Sequence, residues 1–295
     1  MEGRKDTKIF SRLFRVLLGA LAQLPLPVLH AVGAVLGWSI YALSPGYRKH
    51  LKDNLAQAGF APPEKMRAVR REAIAHAGKM LLELPALWFR SHEQAAALVR
   101  DVQGAEPAYA ARDAGTPIVF LTPHMGSFEV TAQYAARHTP ITVLYRPPKI
   151  GVLEPLMQEG RGRPNMRLAA ADVTGVRELF AAIRRGEAVG FLPDQVPSEG
   201  EGEWAEFFGR PAYTMTLAAK LAERPGIACF LAYAKRLPRG RGYDIFIRPF
   251  PEKLSGETPA RHLNRALEAL VRECPGQYLW SYNRYKVPKG APPPP

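Results

Sequence analysis

From residue 117 onward, short apolar runs alternate with amphipathic stretches, and that alternation leaves few architectures open. Ile118 to Leu121, Ile141 to Tyr145, Ala188 to Leu192, Ile227 to Ala234 and Tyr243 to Ile247 read as strands. Helical periodicity fills the gaps near 127–137, 151–160, 173–185 and 214–224, and returns at about 259–273. Runs this short and this apolar suit strands buried on both faces, and helices between them supply the crossovers that parallel strands need. The expected fold is therefore α/β: a mixed, largely parallel sheet flanked by helices, with its functional groups at the carboxyl ends of the strands. Ahead of it, Pro62-Pro63 opens a helical stretch from about Glu64 to Phe89 that reads as a helix pair covering the sheet.

The first fifty residues are of another kind. No Asp, Glu, Lys or Arg occurs from Val16 through Tyr47, a length sufficient to meet a bilayer. Pro25 and Pro27 break the run, and neither piece reaches the roughly 20 apolar residues of a standard span. A kinked span and a hairpin lying in one leaflet are equally compatible with it; a buried helical pair of a soluble protein is the plain alternative. Basic residues flank both ends: Arg4, Lys5, Lys8, Arg12 and Arg15 before, Arg48, Lys49 and Lys52 after. That symmetry places both ends on the anionic, cytoplasmic side of a membrane. Bulky Trp38, Ile40 and Tyr41 near the end of the run argue for a retained anchor over a cleaved signal. The chain thus divides into an anchoring segment at 1–50, a catalytic domain at 51–289 and a proline-rich tail at 290–295 that reads as disordered.

The formal charge of +13 calls for anionic partners: nucleic acid, phospholipid headgroups or an acidic carrier protein. Two distant cysteines, Cys229 and Cys274, support neither a disulfide framework nor a zinc site.

The chemistry concentrates at Ile118-Val-Phe-Leu-Thr-Pro-His124-Met-Gly-Ser-Phe-Glu129. A histidine just past a buried strand is followed by a Gly-Ser turn, with Ser127 placed as the N-cap of the next helix and as a candidate for binding substrate. A spacing of five puts two residues on different faces of a helix, so His124 and Glu129 meet only if the chain turns between them, and Gly126 permits that. A carboxylate on one imidazole nitrogen fixes the tautomer and supports the imidazolium formed when the other nitrogen takes a proton from a hydroxyl. With no GxSxG elbow anywhere, direct attack by a substrate hydroxyl is simpler than a covalent acyl-enzyme. A core histidine held by a carbonyl, and an acid that merely complements a helix N-terminus, are the plainer readings of the two residues.

The H-x4-E segment, with Pro before the His and Gly-Ser-Phe inside, resembles the lysophospholipid acyltransferase superfamily, and within it the lipid A biosynthesis lauroyl/myristoyl acyltransferases. Tyr47-Arg48, Asn54-Leu55, Tyr145-Arg146-Pro147-Pro148, Gly190-Phe-Leu-Pro-Asp194-Gln195, Phe207 to Ala212, Gln277 to Trp280 and Arg284-Tyr285-Lys286 extend the likeness over nearly the whole chain. The resemblance implies a glycerol-3-phosphate acyltransferase-like fold at the cell inner membrane with its site on the cytoplasmic face. It implies an acyl carrier protein thioester as donor and a hydroxyl of a Kdo-bearing lipid A precursor, an anionic glycolipid, as acceptor. No cofactor, metal or nucleic acid is implied. Tyr285 stands where the family usually has Phe, and 198–204 is acidic and Gly-rich, which bears on acceptor choice more than on chemistry.

Further residues gather around this core. Arg146, presented by two following prolines beyond its strand, suits a phosphate clamp or polarisation of the thioester carbonyl; a surface ion pair is the alternative. Asp194 and Gln195 follow another strand to the same edge, and Asp194 is expected to hold the Arg146 guanidinium, a metal role needing further ligands that the sequence does not offer. Arg161, Arg163 and Arg167 read as a basic face for lipid phosphates or as a solvated cluster. Phe207-Phe208 reads first as core and second as the lining of an acyl channel, and Trp280, Tyr282, Arg284 and Tyr285 read first as C-terminal packing and second as an interfacial aromatic belt or nucleic-acid surface. Two rival functions remain: an acyl-CoA-dependent enzyme acting on another glycolipid or lysolipid, and a non-enzymatic basic protein of membrane surfaces or nucleic acid.

Overall fold

The computed structural model describes residues 15–148 and 153–295. Seven strands form one sheet in the order β1-β9-β8-β2-β5-β3-β4, and a separate hairpin pairs β6 with β7. In chain order the sheet strands are β1 (Val99–Gln103), β2 (Ile118–Leu121), β3 (Ile141–Tyr145), β4 (Met166–Ala170), β5 (Ala188–Phe191), β8 (Ala228–Arg236) and β9 (Tyr243–Pro249). All neighbours run parallel except β8 and β9, which is the mixed, largely parallel sheet expected. The central strand β2 and its neighbour β5 are only four residues long: β5 is buried throughout, and β2 at all but Phe120.

Helices cover both faces: α6 (Glu106–Asp113), α7 (Phe128–His138), α8 (Leu153–Arg161), α9 (Val173–Arg184), α10 (Thr216–Ala222) and α11 (Pro259–Glu273), with the short α5 (His92–Ala96) between α4 and β1. α11 shows why such a segment must be helical. Thr258 caps it by accepting from the Arg261 N–H, and Leu263, Ala266, Leu267, Leu270 and Val271 recur at helical spacing, all buried.

Ahead of the sheet lie a helix over 15–23 (α1), α2 (Leu26–Leu43), α3 (Pro45–Ala58) and α4 (Pro63–Phe89). The stretch read as a helix pair is one continuous helix, α4, with Pro85 near its end where one lost N–H is tolerated. Its pairing partner is α2. At the crossing the two backbones nearly touch: a Cβ at Gly37 would stand 2.1 Å from the Ile74 carbonyl oxygen, and one at Gly78 would stand 1.9 Å from that of Gly33. α2 is long and apolar enough to cross a membrane. Residues 1–14 of the segment lie outside the described residues.

Four strands escaped the sequence reading. β1 (VRDVQ) and β4 (MRLAA) are sheet-edge strands carrying charge, which blurs the apolar signature. β6 (Gly202–Phe207) and β7 (Arg210–Met215) form a hairpin whose turn residues Phe208 and Gly209 both have positive φ, 49° and 73°. Phe208 tolerates that backbone because its N–H donates to Glu268 and its ring packs against Trp280 and Phe60. The Phe pair and Trp280 are core, as read from the sequence. The proline-rich end rests on this hairpin, Trp204 donating its indole N–H to the Pro292 carbonyl.

Candidate active site

Because β2, β5 and β3 are adjacent and parallel, the segments that follow them emerge at one edge of the sheet. They bring His124, Gln195 and Arg146 to the rim of a single cleft, which Glu129 and Arg161 also line. Asp194 itself lies behind His124 and is 3% exposed.

The loop after β2 is fixed by its backbone. Gly126 has φ +56°, and a Cβ there would stand 2.0 Å from the Ala234 carbonyl oxygen, so only glycine fits. Its N–H donates to Gln277 and the next N–H, of Ser127, to Ala234. The His124 carbonyl accepts from Leu279, and the His124 N–H donates to Asp194 Oδ2. Ser127 is 2% exposed but its side chain caps no helix, and it does not line the cleft; the expected N-cap bond is absent because the loop is held from the β8 side instead.

The His124 ring is held by Asp194. Nδ1 lies 2.8 Å from Asp194 Oδ1, so one carboxylate grips both the imidazole and the backbone of the same residue. Burial pushes the Asp194 carboxyl up, but the His124 ring and backbone N–H outweigh it and hold it below the ordinary carboxylate value. An ionised carboxylate only accepts, so the proton sits on Nδ1 and Nε2 carries the lone pair. That lone pair faces the cleft and meets the Gln195 amide nitrogen at 3.2 Å. Tyr278 lies beside Asp194, its phenol pushed well above the ordinary value by burial and by that negative charge. In the sequence it stands only within Gln277 to Trp280, a segment that carries the family likeness, with no role of its own.

The expectations for the carboxylates change accordingly. Asp194 was expected on Arg146; it is on His124, because its short side chain follows β5, the strand beside β2. Glu129 was expected on His124. Its carboxylate, 5% exposed, instead takes a forked contact from Arg161, Nε lying 3.0 Å from each oxygen and a terminal nitrogen closing the pair. Glu129 lies in the first turn of α7 and points toward α8, the helix that carries Arg161. Burial lowers the affinity of Arg161 for its proton, but the Glu129 charge more than compensates. Arg146 is exposed and pairs with no carboxylate among the described residues, leaving its charge available in the cleft. Arg163 caps the end of α4 by donating to the Leu87, Trp88 and Arg90 carbonyls, and Arg167 pairs with Glu187 at the surface, so Arg161 alone of that trio reaches the cleft.

Beneath α7 the cleft adjoins a second pocket that is lined almost wholly by apolar atoms. Phe128, Ala132, Val143 and Leu192 border both spaces. Gly190 in β5 leaves room where another residue would project, and Tyr109 and Tyr134, whose hydroxyls bond each other, also line the pocket. Among the described residues no group of three His, Cys, Asp or Glu side chains is placed to hold a metal ion.

Comparison with known proteins adds to this geometry. Residues 6–287 match the family described as bacterial lipid A biosynthesis acyltransferase. The chain is 25% identical to the lipid A biosynthesis lauroyltransferase of Escherichia coli K12 over 284 residues, covering 93% of this chain and 91% of the relative. It is 26% identical to the palmitoleoyltransferase of the same organism, over 90% and 87% of the two chains. The myristoyltransferase of that organism is 26% identical over 77% and 72%.

Proposed function

The chain belongs to the bacterial lipid A biosynthesis acyltransferase family, and from that premise we propose that it moves a fatty acyl group from an acyl carrier protein thioester to a hydroxyl of a Kdo-bearing lipid A precursor, with His124 as general base. The observation that carries this reading is the Asp194-anchored imidazole, whose Nε2 faces a cleft bordering an apolar pocket.

The acyl chain occupies the apolar pocket, which brings the thioester carbonyl to the cleft beside His124. The acceptor hydroxyl displaces the Gln195 amide from Nε2. As its oxygen attacks the carbonyl carbon, its proton passes to Nε2 and the Asp194 carboxylate stabilises the imidazolium. The new C–O bond forms, the C–S bond breaks, and the departing thiolate takes the proton from the imidazolium. Arg146 and Arg161 bind acceptor phosphate or the developing oxyanion, and Glu129 acts through Arg161 by aiming its guanidinium. The net charge of +13 suits both an acidic carrier protein and an anionic glycolipid at the cytoplasmic face of the inner membrane. The step requires no bound cofactor.

Purified protein offered matched carrier-protein and CoA thioesters, with the lipid A precursor as acceptor, is expected to favour the carrier-protein donor. Preference for CoA, or transfer to a lysolipid in place of the glycolipid, would overturn the substrate assignment. Glu129→Gln and Arg161→Met are each expected to weaken transfer about 10–100-fold, and the double variant to lose little more, since residues acting as one unit are not additive. Additive losses would give Glu129 a role separate from Arg161.

A further inference from the structure

Eight of the twelve exposed large apolar side chains among the described residues fall between Val16 and Leu43. On α2 they form a stripe, Val28, Val32 and Val35 recurring every three or four residues, with Trp38 beside it. No charged side chain interrupts the helix, and the hydroxyl of Ser39 bonds back to the Val35 carbonyl. The opposite face is fastened to the protein. His30 Nε2 meets the buried Glu83 carboxylate at 3.2 Å, and Gly33 and Gly37 sit against α4.

These contacts pair residue 30 with 83, 33 with 79 and 37 with 74, so α2 lies antiparallel along α4 for most of its length. α4 carries Arg67, Arg70, Arg71, Glu72 and Lys79 and cannot enter hydrocarbon. A helix clamped to it along one face cannot cross a bilayer without breaking those contacts. Basic groups lie at both ends of α2: Arg239 and Arg241 beside Pro27, where Gly240 touches the backbone, and Arg48 and Lys52 on α3. A spanning helix would have one end across the membrane, whereas a helix lying in the interface needs cations at both.

We propose that α2 is a monotopic membrane seat: it lies in the plane of an anionic phospholipid leaflet with the Val28, Val32 and Val35 stripe in the acyl region, and does not span. Its placement serves the cleft, because α1 reaches α8 through the Arg15–Glu159 ion pair and α8 lines the cleft with Met157 and Arg161. The seat is independent of the acyl-transfer reading, and its test reads membrane binding alone.

The full chain is mixed with vesicles of phosphatidylethanolamine and phosphatidylglycerol and floated on a density gradient, the Val32→Asp/Val35→Asp variant alongside. Both sites are exposed, so the variant should melt like the wild type, and its vesicle partition should fall about 100-fold through loss of two buried valines. Fluorophores on Val28→Cys, Val35→Cys and Ala42→Cys, in a background with Cys229 and Cys274 replaced by alanine, are then quenched with lipids brominated at known depths. Equal, shallow depths for all three are expected. Val35 at the bilayer centre with the other two toward opposite interfaces would overturn the in-plane seat. So would a folded wild type that stays off the vesicles, and equal binding to pure phosphatidylcholine would overturn its anionic character.

Discussion

Asp194→Asn is expected to lower kcat for acyl transfer by about 10²–10⁴-fold with little change in KM. The carboxylate accepts from both the His124 backbone N–H and the ring, which leaves Nε2 as the basic nitrogen. An asparagine carbonyl keeps one of those bonds, but its amide N–H, turned toward Nδ1, favours the tautomer with the proton on Nε2, where it cannot accept from a hydroxyl. It also removes the negative charge that supports the imidazolium. The substitution is nearly isosteric and the cleft keeps its shape, so the loss should appear in kcat. Steady-state kinetics on a variant that melts within a few degrees of the wild type would check this; near-wild-type kcat would remove Asp194 from the reaction.

The largest expected effect on stability belongs to Glu83. Its carboxylate, 1% exposed, accepts from Arg236 through Nε at 2.8 Å and a terminal nitrogen at 2.7 Å, from the Tyr243 hydroxyl at 3.0 Å, and meets His30. The same guanidinium donates to the Gly126 carbonyl, so one buried cluster ties α2, α4, β8 and β9 to the loop that carries His124. Glu83→Ala strands the Arg236 charge in a buried site and should destabilise the fold by about 3–5 kcal/mol. Burial opposes ionisation of Glu83, yet Arg236 and His30 hold its pKa below the ordinary glutamate value. A depressed carboxylate contributes stability that is complete above the unfolded value and is lost as pH falls through the folded one. Wild-type stability should therefore drop as pH falls below about 4.5, and the Glu83→Gln curve should be flatter there. Urea titrations across pH measure both; a variant as stable as the wild type would contradict the role given to the cluster.

What the sequence made legible follows from how local each signal is. The buried strands β2, β3 and β5 announced themselves because four or five consecutive apolar residues between turn signals have few other uses. His124 was legible from its place after such a strand. The partners of His124 were not, because side-chain pairing depends on the order of strands in the sheet, and β5 lies beside β2 although about seventy residues separate them. Sequence proximity favoured Glu129, five residues away; the folded chain turns Glu129 toward Arg161 and brings in Asp194. His30 and Glu83 carried no sequence signal at all. A lone histidine in an uncharged run and one acid in a charged helix acquire meaning only when α2 packs along α4.

The most direct test of the account is acyl transfer by purified His124→Ala, measured beside the wild type with a labelled acyl carrier protein thioester and a Kdo-bearing lipid A precursor. Transfer by the wild type and its loss, by about 10⁴-fold or more, in a variant of unchanged melting temperature is the result predicted. Transfer that survives in His124→Ala would contradict the assignment of His124 as the base.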